Sequence, residues 1–280
     1  MSKADASDAR AGNLSRRHDA GQLIVVGTGI QWASQTTLAA QRAMQLADQV
    51  LFAVADPWAA RWIREQSPGA ESFDYPRDGR ARRHIYAGMV ERVLAALEGG
   101  RRVCAVFYGS AAVLTEPAHA AIRRARELGH AASMLPGVSF LDCLFADLGV
   151  DPGASGCHLF EATDFLVRRR PVDVHAPLVL CQVGMLGNRA AFDATESGVI
   201  GRALSLLARR LGEHYPQQHE VVLYEAASSP TAAPRVEGLR LEHLGAAQVS
   251  GISTLYVPAL GRAPLDEKML AELEGLRVQR

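Results

Sequence analysis

The chain carries no charge excess of either sign: 30 Lys and Arg balance 30 Asp and Glu among 280 residues, for a net charge of zero and a pI near 7.1. That excludes a nucleic-acid binder working through bulk positive charge, though not a local basic pocket. Cysteine is scarce. Cys104, Cys143, Cys157 and Cys181 stand far apart without a CxxC pair, so a zinc ribbon and a thioredoxin motif are both excluded. Cys104 and Cys181 fall inside apolar runs and read as core thiols in a reducing compartment. No run reaches the ~20 apolar residues a membrane span needs. Residues 1–21 are polar, lack the apolar stretch of a secretory signal, and read as a disordered tail. With no address on the chain, the cytoplasm is the default expectation.

Several chemistries are missing as well. There is no GxxxxGKS/T loop, which argues against a P-loop kinase or ATPase. Gly137-Val-Ser139 lacks the GxSxG frame of a serine hydrolase. None of the nine histidines is paired at metal spacing and HExxH does not occur, so no metal site is expected.

What remains is a chain that is 48% hydrophobic and able to bury a core. Apolar strand-like runs recur at 22–27, 49–54, 102–109, 178–184, 220–225 and 253–258. Such continuous runs belong to strands buried on both faces. Helical patterns lie between them, at 36–47, 80–97, 116–128 and 189–211; the second repeats Ile85, Met89, Val93 and Leu97 along one face. The alternation predicts an α/β fold with a largely parallel sheet. Pro136-Gly137 punctuates the chain, and a boundary is expected there. The expected organisation is a tail over 1–21, an α/β domain over 22–137, a second over 138–262, and an amphipathic C-terminal tail over 263–280.

The first strand runs into Gly27-Thr28-Gly29, where glycines let a backbone approach a ligand closely. Trp32 occupies the place of the third glycine of a dinucleotide fingerprint, although Asp56 closes the second strand where a ribose-binding acid would sit. The plain alternative is a tight strand-to-helix turn. Residues 75–86 read YPRDGRARRHIY. Arg82 and Tyr86, four apart, share one face of a helix, and a guanidinium beside a phenol favours the phenolate. Arginines at a helix N-terminus oppose its dipole, so either a solvated basic face or another purpose explains them. Tyr108 ends an apolar strand, where α/β proteins hold ligands.

Strand-GTG, VFYGSAAV at 106–113 and MLPGVSFLDCLFADLG at 134–149 resemble the S-adenosylmethionine-dependent tetrapyrrole methylase superfamily, over nearly the whole chain after residue 21. A narrower resemblance rests on Tyr75…Arg82…Tyr86, VFYG, MLPGVS, LFADLGVDP at 144–152, EAT at 161–163, QVG at 182–184 and ISTLYVP at 252–258. Together these blocks look like the borosin α-N-methyltransferases, which methylate backbone amides of a ribosomally made peptide. The resemblance implies two α/β domains with the cofactor in the cleft between them, and a homodimer, extending to a heterotetramer with two peptides. It assigns catalysis to Tyr75, Arg82, Tyr86 and Tyr108. It assigns contacts with S-adenosylmethionine, and its product S-adenosylhomocysteine, to Gly27, Gly29, Tyr108, Ser110, Val113, Ser139, Phe140, Gln182, Ala226, Ser253 and Thr254. Three departures stand out: Tyr75 is one residue off the family spacing, Phe140 replaces a small residue, and Ser110 replaces a histidine or aspartate. Fungal relatives carry the substrate peptide in the same chain. Here only an amphipathic stretch at 265–276 follows, so the resemblance implies a precursor peptide supplied in trans; the charge balance and the lack of a long apolar run lead us to expect neither nucleic acid nor membrane as partner. A porphyrin or corrin C-methyltransferase is the alternative, with Arg82-Arg83 and Arg168-Arg169-Arg170 as a basic pocket for a carboxylate-rich substrate.

Overall fold

The computed structural model describes residues 20–73, 81–187 and 197–278. Most of the expected tail, residues 1–19, lies outside this set; Gly21 within it is buried and bonds through its N–H to His130 Nδ1 at 2.9 Å. The described chain forms two compact units. The first takes in the chain through Leu148 and the segment Ala226–Arg235; the second takes in Gly149–Gly187, the chain from the helix at Ser197 to Glu225, and Val236 onward.

The first unit alternates strand and helix. Its strands are β1 (Gln22–Gly27), β2 (Gln49–Ala53), β3 (Glu71–Ser72), β4 (Arg102–Phe107) and β5 (Ala131–Met134). Its helices are α1 (Leu38–Leu46), α2 (Pro57–Gln66), α3 (Arg82–Ala96), α4 (Glu116–Glu127) and α5 (Phe140–Leu148). The sheet order is β3-β2-β4-β1-β5, with every pair parallel. Neighbouring residues of one strand serve opposite faces, as the two-residue period demands. Leu23, Val25, Leu51, Ala105 and Phe107 pack under α3 and α4, whereas Val26, Phe52, Cys104 and Val106 pack under α1 and α2. Both faces are covered, so the strands read as unbroken apolar runs. The four-residue stripe on α3 is wholly buried: Ile85, Met89, Val93 and Leu97 are each at most 5% exposed.

Helix starts are encoded locally. Thr37 Oγ1 accepts from Ala40 N at 3.1 Å to open α1, and Asp56 Oδ1 accepts from Trp58 N at 2.8 Å to open α2, with Pro57 following the cap. The other Asp56 oxygen takes the Trp32 indole N–H at 3.0 Å. Both oxygens of the acid a dinucleotide reading would reserve for ribose are therefore committed to the fold, and Trp32 is the residue that replaces the third glycine.

The second unit holds β6 (His158–Glu161), β7 (Leu178–Cys181), β8 (Glu220–Glu225), β9 (Arg235–Arg240) and β10 (Thr254–Val257), with α6 (Ala162–Val167), α7 (Ser197–Leu211) and α8 (Glu267–Val278). Its sheet order is β6-β7-β10-β8-β9. Only part of it is parallel: β6 pairs parallel with β7, but β10 runs antiparallel to both β7 and β8. The expected parallel arrangement thus describes the first sheet and not the second. An apolar run reports burial on both faces; it carries no information on the direction of its neighbour. The run at 178–184 is also cut short, because Gln182 turns into the left-handed region (φ 59°) and Val183–Met185 forms a 3-10 turn.

All four cysteines are free thiols. Burial pushes Cys104 and Cys181 up to about 12, and raises Cys143 and Cys157 by a smaller shift at half-exposed positions. Iodoacetamide at pH 8 is therefore expected to label Cys143 and Cys157 slowly, and Cys104 and Cys181 only after unfolding; mass spectrometry of peptide digests reads the order. Folding holds the two core thiols protonated, so their contribution to stability is complete below the ordinary thiol range and is lost as pH rises toward 12. Equal labelling of all four in the folded chain would contradict this packing.

Candidate active site

The resemblance-derived residues fall into two groups, one in each unit. In the first unit, the connections after β1 and β4 leave the adjacent strands toward opposite faces. Such a switch point opens a crevice at the carboxyl ends of the strands. Gly27, Gly29, Tyr108, Ser110 and Val113 all stand there. Thr28 N donates to Phe107 O at 2.9 Å, and Gly29 and Gly109 exchange two backbone bonds at 3.1 and 3.0 Å. This pairing brings the strands so close that a Cβ on Gly27 would lie 2.0 Å from the Gly109 carbonyl oxygen. Gly137 joins the same cluster, with its Cβ position 3.8 Å from Gly27 Cα and Ser110 Cα. Three chain segments remote in sequence thus meet at one point.

Around this glycine cluster the side chains are held individually. Ser110 is buried, and among the described residues its hydroxyl accepts one long bond, from Ala112 N at 3.4 Å. Val113 is fixed by a bond from its N–H to Ser110 O at 3.1 Å. Tyr108 is 41% exposed at the end of β4. Burial of its hydroxyl, then the neighbouring Cys143 and Asp56, raise its pKa and keep the phenol neutral. A neutral, partly open aromatic ring suits packing against a cation better than proton abstraction. Ser139 caps α5: its hydroxyl accepts from Leu141 N at 3.2 Å, while Asp142 Oδ2 takes both the Ser139 N–H at 2.6 Å and its O–H at 2.8 Å. Phe140 begins that helix.

Arg82 and Tyr86 lie one turn apart on α3, with Tyr86 packed against the core beneath the helix. The helix opens at Ala81 without a side-chain cap and has no acidic residue in its first turn. Tyr75 lies outside the described residues.

In the second unit, Gln182 follows β7 in its left-handed conformation, a strained backbone for a residue with a side chain. It is held by the bond from Val183 N to Ser253 O at 3.0 Å, and by Gly184, whose Cβ would lie 1.9 Å from Ser250 O. Ser253 and Thr254 are buried at the start of β10. Glu225 accepts from the Ser253 hydroxyl in a short bond and from the Ser250 hydroxyl at 2.9 Å. Ala226 follows directly after β8 and belongs to the first unit.

Sequence reading missed the supporting residues. Gln35 Oε1 accepts from Ile30 N at 3.0 Å and Gln31 N at 2.9 Å, pinning the loop after Gly29, and its amide donates to Cys143 Sγ at 3.7 Å. Glu225 ties the serine pair, and Asp142 completes the cap of α5. Only the last has a sequence signature, a serine followed three residues later by an acid before an apolar stretch. Among the described residues no cluster of His, Cys, Asp or Glu could hold a metal ion, and no helix is long and apolar enough to cross a membrane.

The first sheet thus carries, at the carboxyl ends of β1 and β4, a glycine cluster with a neutral tyrosine beside it, in a chain of two α/β sheets. The chain belongs to the Tetrapyrrole (Corrin/Porphyrin) Methylases, a methyltransferase family whose profile matches residues 22–241. It is similar to the methyltransferase/ribosomally synthesized cyclic peptide dendrothelin A precursor of Dendrothele bispora, at 39% identity over 91% of this chain and 62% of that protein. It is also similar to the corresponding omphalotin A precursor of Omphalotus olearius, at 37% identity over 94% of this chain and 63% of that protein. The chain therefore spans about three fifths of the length of these curated relatives, which are methyltransferase and precursor in one. Among solved structures, uroporphyrin-III-C-methyltransferase from Thermus thermophilus shares the fold with a TM-score of 0.57 at 22% identity, covering 85% of this chain and 92% of that one. A structure of a Thermus thermophilus uroporphyrin-III C-methyltransferase complexed with S-adenosylhomocysteine matches with a TM-score of 0.55 at 18% identity, over 85% and 92% of the two chains.

Proposed function

We propose that this chain uses S-adenosylmethionine to methylate backbone amide nitrogens, iteratively, in a ribosomally made peptide. The observation that carries the reading is identity of 37–39%, over more than nine tenths of this chain, to proteins named as methyltransferase and cyclic-peptide precursor together. Membership of the methylase family and the ligand of the Thermus neighbour support the choice of cofactor. The crevice residues suit it: Gly27 and Gly29 let the turns after β1 and β4 lock together beneath it, Ser110 offers a hydroxyl with bonding capacity left, and the neutral Tyr108 ring offers its face to a sulfonium. Gln182, Ser253, Thr254 and Ala226 are the further contacts the family resemblance implies, with Val113, Ser139 and Phe140 beside the crevice.

When bound, the cofactor supplies an already activated methyl group. The remaining difficulty is the amide, whose nitrogen lone pair is delocalised into the carbonyl. In this reading Tyr86 takes the N–H proton onto its phenolate oxygen, with Arg82 one turn away on the same helix. With that proton removed, the nitrogen lone pair would be free to accept the methyl group that bound S-adenosylmethionine would supply, S-adenosylhomocysteine being the product. Tyr75 binds the substrate carbonyl and stabilises the charge that flows to oxygen. Tyr108 aligns the reacting groups, an effect able to contribute several kcal/mol.

The test is tandem mass spectrometry of a reaction containing the full chain, S-adenosylmethionine and a candidate precursor peptide supplied as a separate molecule. Increments of one methyl group on backbone amides are the expected result, and they would establish supply in trans at the same time. An unmodified peptide, with uroporphyrinogen methylated in a parallel reaction, would overturn the reading in favour of a tetrapyrrole C-methyltransferase. Size-exclusion chromatography with light scattering, with and without peptide, tests the proposed homodimer and heterotetramer.

A further inference from the structure

We propose that a basic pocket on the second unit, formed where the segment after α6 meets the end of α7, binds an acidic stretch of the peptide substrate outside the amides that are methylated. This identity of the occupant rests on the peptide-substrate reading; the pocket's affinity for carboxylates does not.

The pocket has a volume of about 230 Å3 and is lined by Arg168, Arg169 and Arg170 from one side and by Arg210 and His214 from the other, over Phe165. Two carboxylates already answer part of this charge. Asp164 is clamped by Arg168 Nε at 2.6 Å and by Arg170, whose Nε and Nη2 reach it at 3.1 and 2.5 Å. Arg170 and then Arg168 hold its carboxyl below the usual carboxylate range. Glu213, on the rim, accepts from Arg210 at 3.0 Å. Four guanidiniums thus face two carboxylates, leaving two positive charges in excess. Among the described residues Arg169 pairs with no carboxylate, although it is exposed at the pocket mouth.

Several features select an acidic peptide over other anions. The arginine forks are in place: Asp164 engages those of Arg168 and Arg170, Arg169 pairs with no carboxylate among the described residues, and Arg170 is braced by the Phe160 ring, 5.4 Å from its centroid. A planar fork suits a planar carboxylate. The floor is Phe165, an aromatic side chain otherwise buried. It offers apolar contact to the methylenes of a glutamate, from which a hydrated inorganic anion gains nothing. The volume fits one or two side chains and is small for a nucleotide, whose sites run to roughly 300 Å3 and above. A peptide methylated at several positions also needs a grip away from the reacting amides, so that binding energy from unreactive parts positions the reactive ones.

The probe is fluorescein-labelled hexaglutamate, followed by anisotropy with the full chain. Saturable binding that weakens with added salt is expected. Arg169→Glu is expected to weaken it about tenfold, whereas Arg123→Glu, an equal charge change on the exposed side of α4, should change it less than about twofold. Arg169 makes no ion pair among the described residues, so its replacement spares the fold, and an unchanged melting curve checks this. No binding, or equal loss in both variants, would overturn the pocket. Complete displacement by millimolar inorganic phosphate would overturn the peptide in favour of a small-anion site. In the methylation reaction, Arg169→Glu should raise KM for the precursor peptide with kcat unchanged. A wild-type chain that binds hexaglutamate but methylates no peptide would overturn the functional reading and leave the pocket standing.

Discussion

Tyr86→Phe is expected to lower kcat for peptide methylation by about 10²- to 10⁴-fold, the range a positioned general base contributes, while the dissociation constant for S-adenosylmethionine stays within about twofold. The substitution removes one hydroxyl and keeps the ring, so the packing of Tyr86 against the core under α3 survives. In the proposed mechanism the phenylalanine ring has no oxygen to take the amide proton, so the amide stays unreactive however well the methyl is aligned. In the proposed mechanism Arg82→Lys should also slow the reaction, because an ammonium point charge does not reproduce a planar guanidinium. Methyl increments in single-turnover mass spectra, with cofactor binding measured by calorimetry, separate the two effects. Full turnover by Tyr86→Phe would remove Tyr86 as the base and leave Tyr75 or solvent to take the proton.

Gly27→Ala is expected to destabilise the first unit by about 3 kcal/mol, the upper part of the range for overpacking, and to abolish cofactor binding with it. The new methyl would stand 2.0 Å from the Gly109 carbonyl oxygen, 3.0 Å from its carbon and 3.1 Å from Ala111 N. All three are backbone atoms, and none can move without breaking the paired Gly29–Gly109 bonds that close the crevice. Gly69→Ala is the matched control: a Cβ there meets nothing within 4 Å, and the change should be neutral or slightly stabilising through the unfolded chain. Urea midpoints of the two variants decide the matter. A Gly27→Ala protein as stable as Gly69→Ala, with cofactor affinity intact, would mean that the β1 and β4 turns are not locked together as the structure has them.

Much of the fold is legible in the sequence wherever a residue answers to its immediate neighbours. β1 and β8 occupy the apolar runs at 22–27 and 220–225 because strands covered on both faces need unbroken hydrophobicity. The stripe from Ile85 to Leu97 specifies the buried face of α3, since the helical repeat brings every fourth residue to one side. Thr37 and the Asp56-Pro57 pair mark helix starts because capping is satisfied within three residues. The Gly-Thr-Gly turn, the tyrosine ending β4 and the Arg82–Tyr86 spacing are local too.

What only the tertiary structure decided depends on partners remote in the chain. β10 lies antiparallel between β7 and β8, although its run of Thr254 to Val257 looks like any other buried strand. β5 and β6, with Ser133 and His158 among their residues, are strands because the sheet edge accepts them. Gly27 reads as a flexible turn residue; its actual constraint is the carbonyl of Gly109, delivered by the pairing of β1 with β4. Gln182 adopts a left-handed backbone where the residues after it are pinned, Val183 by the Ser253 carbonyl and Gly184 against that of Ser250, and Glu225 gains its role only when β8 carries it beside that serine pair. Short-range periodicity and capping are written along the chain. Strand direction and close backbone contacts are settled by which segments the sheets and helices bring side by side.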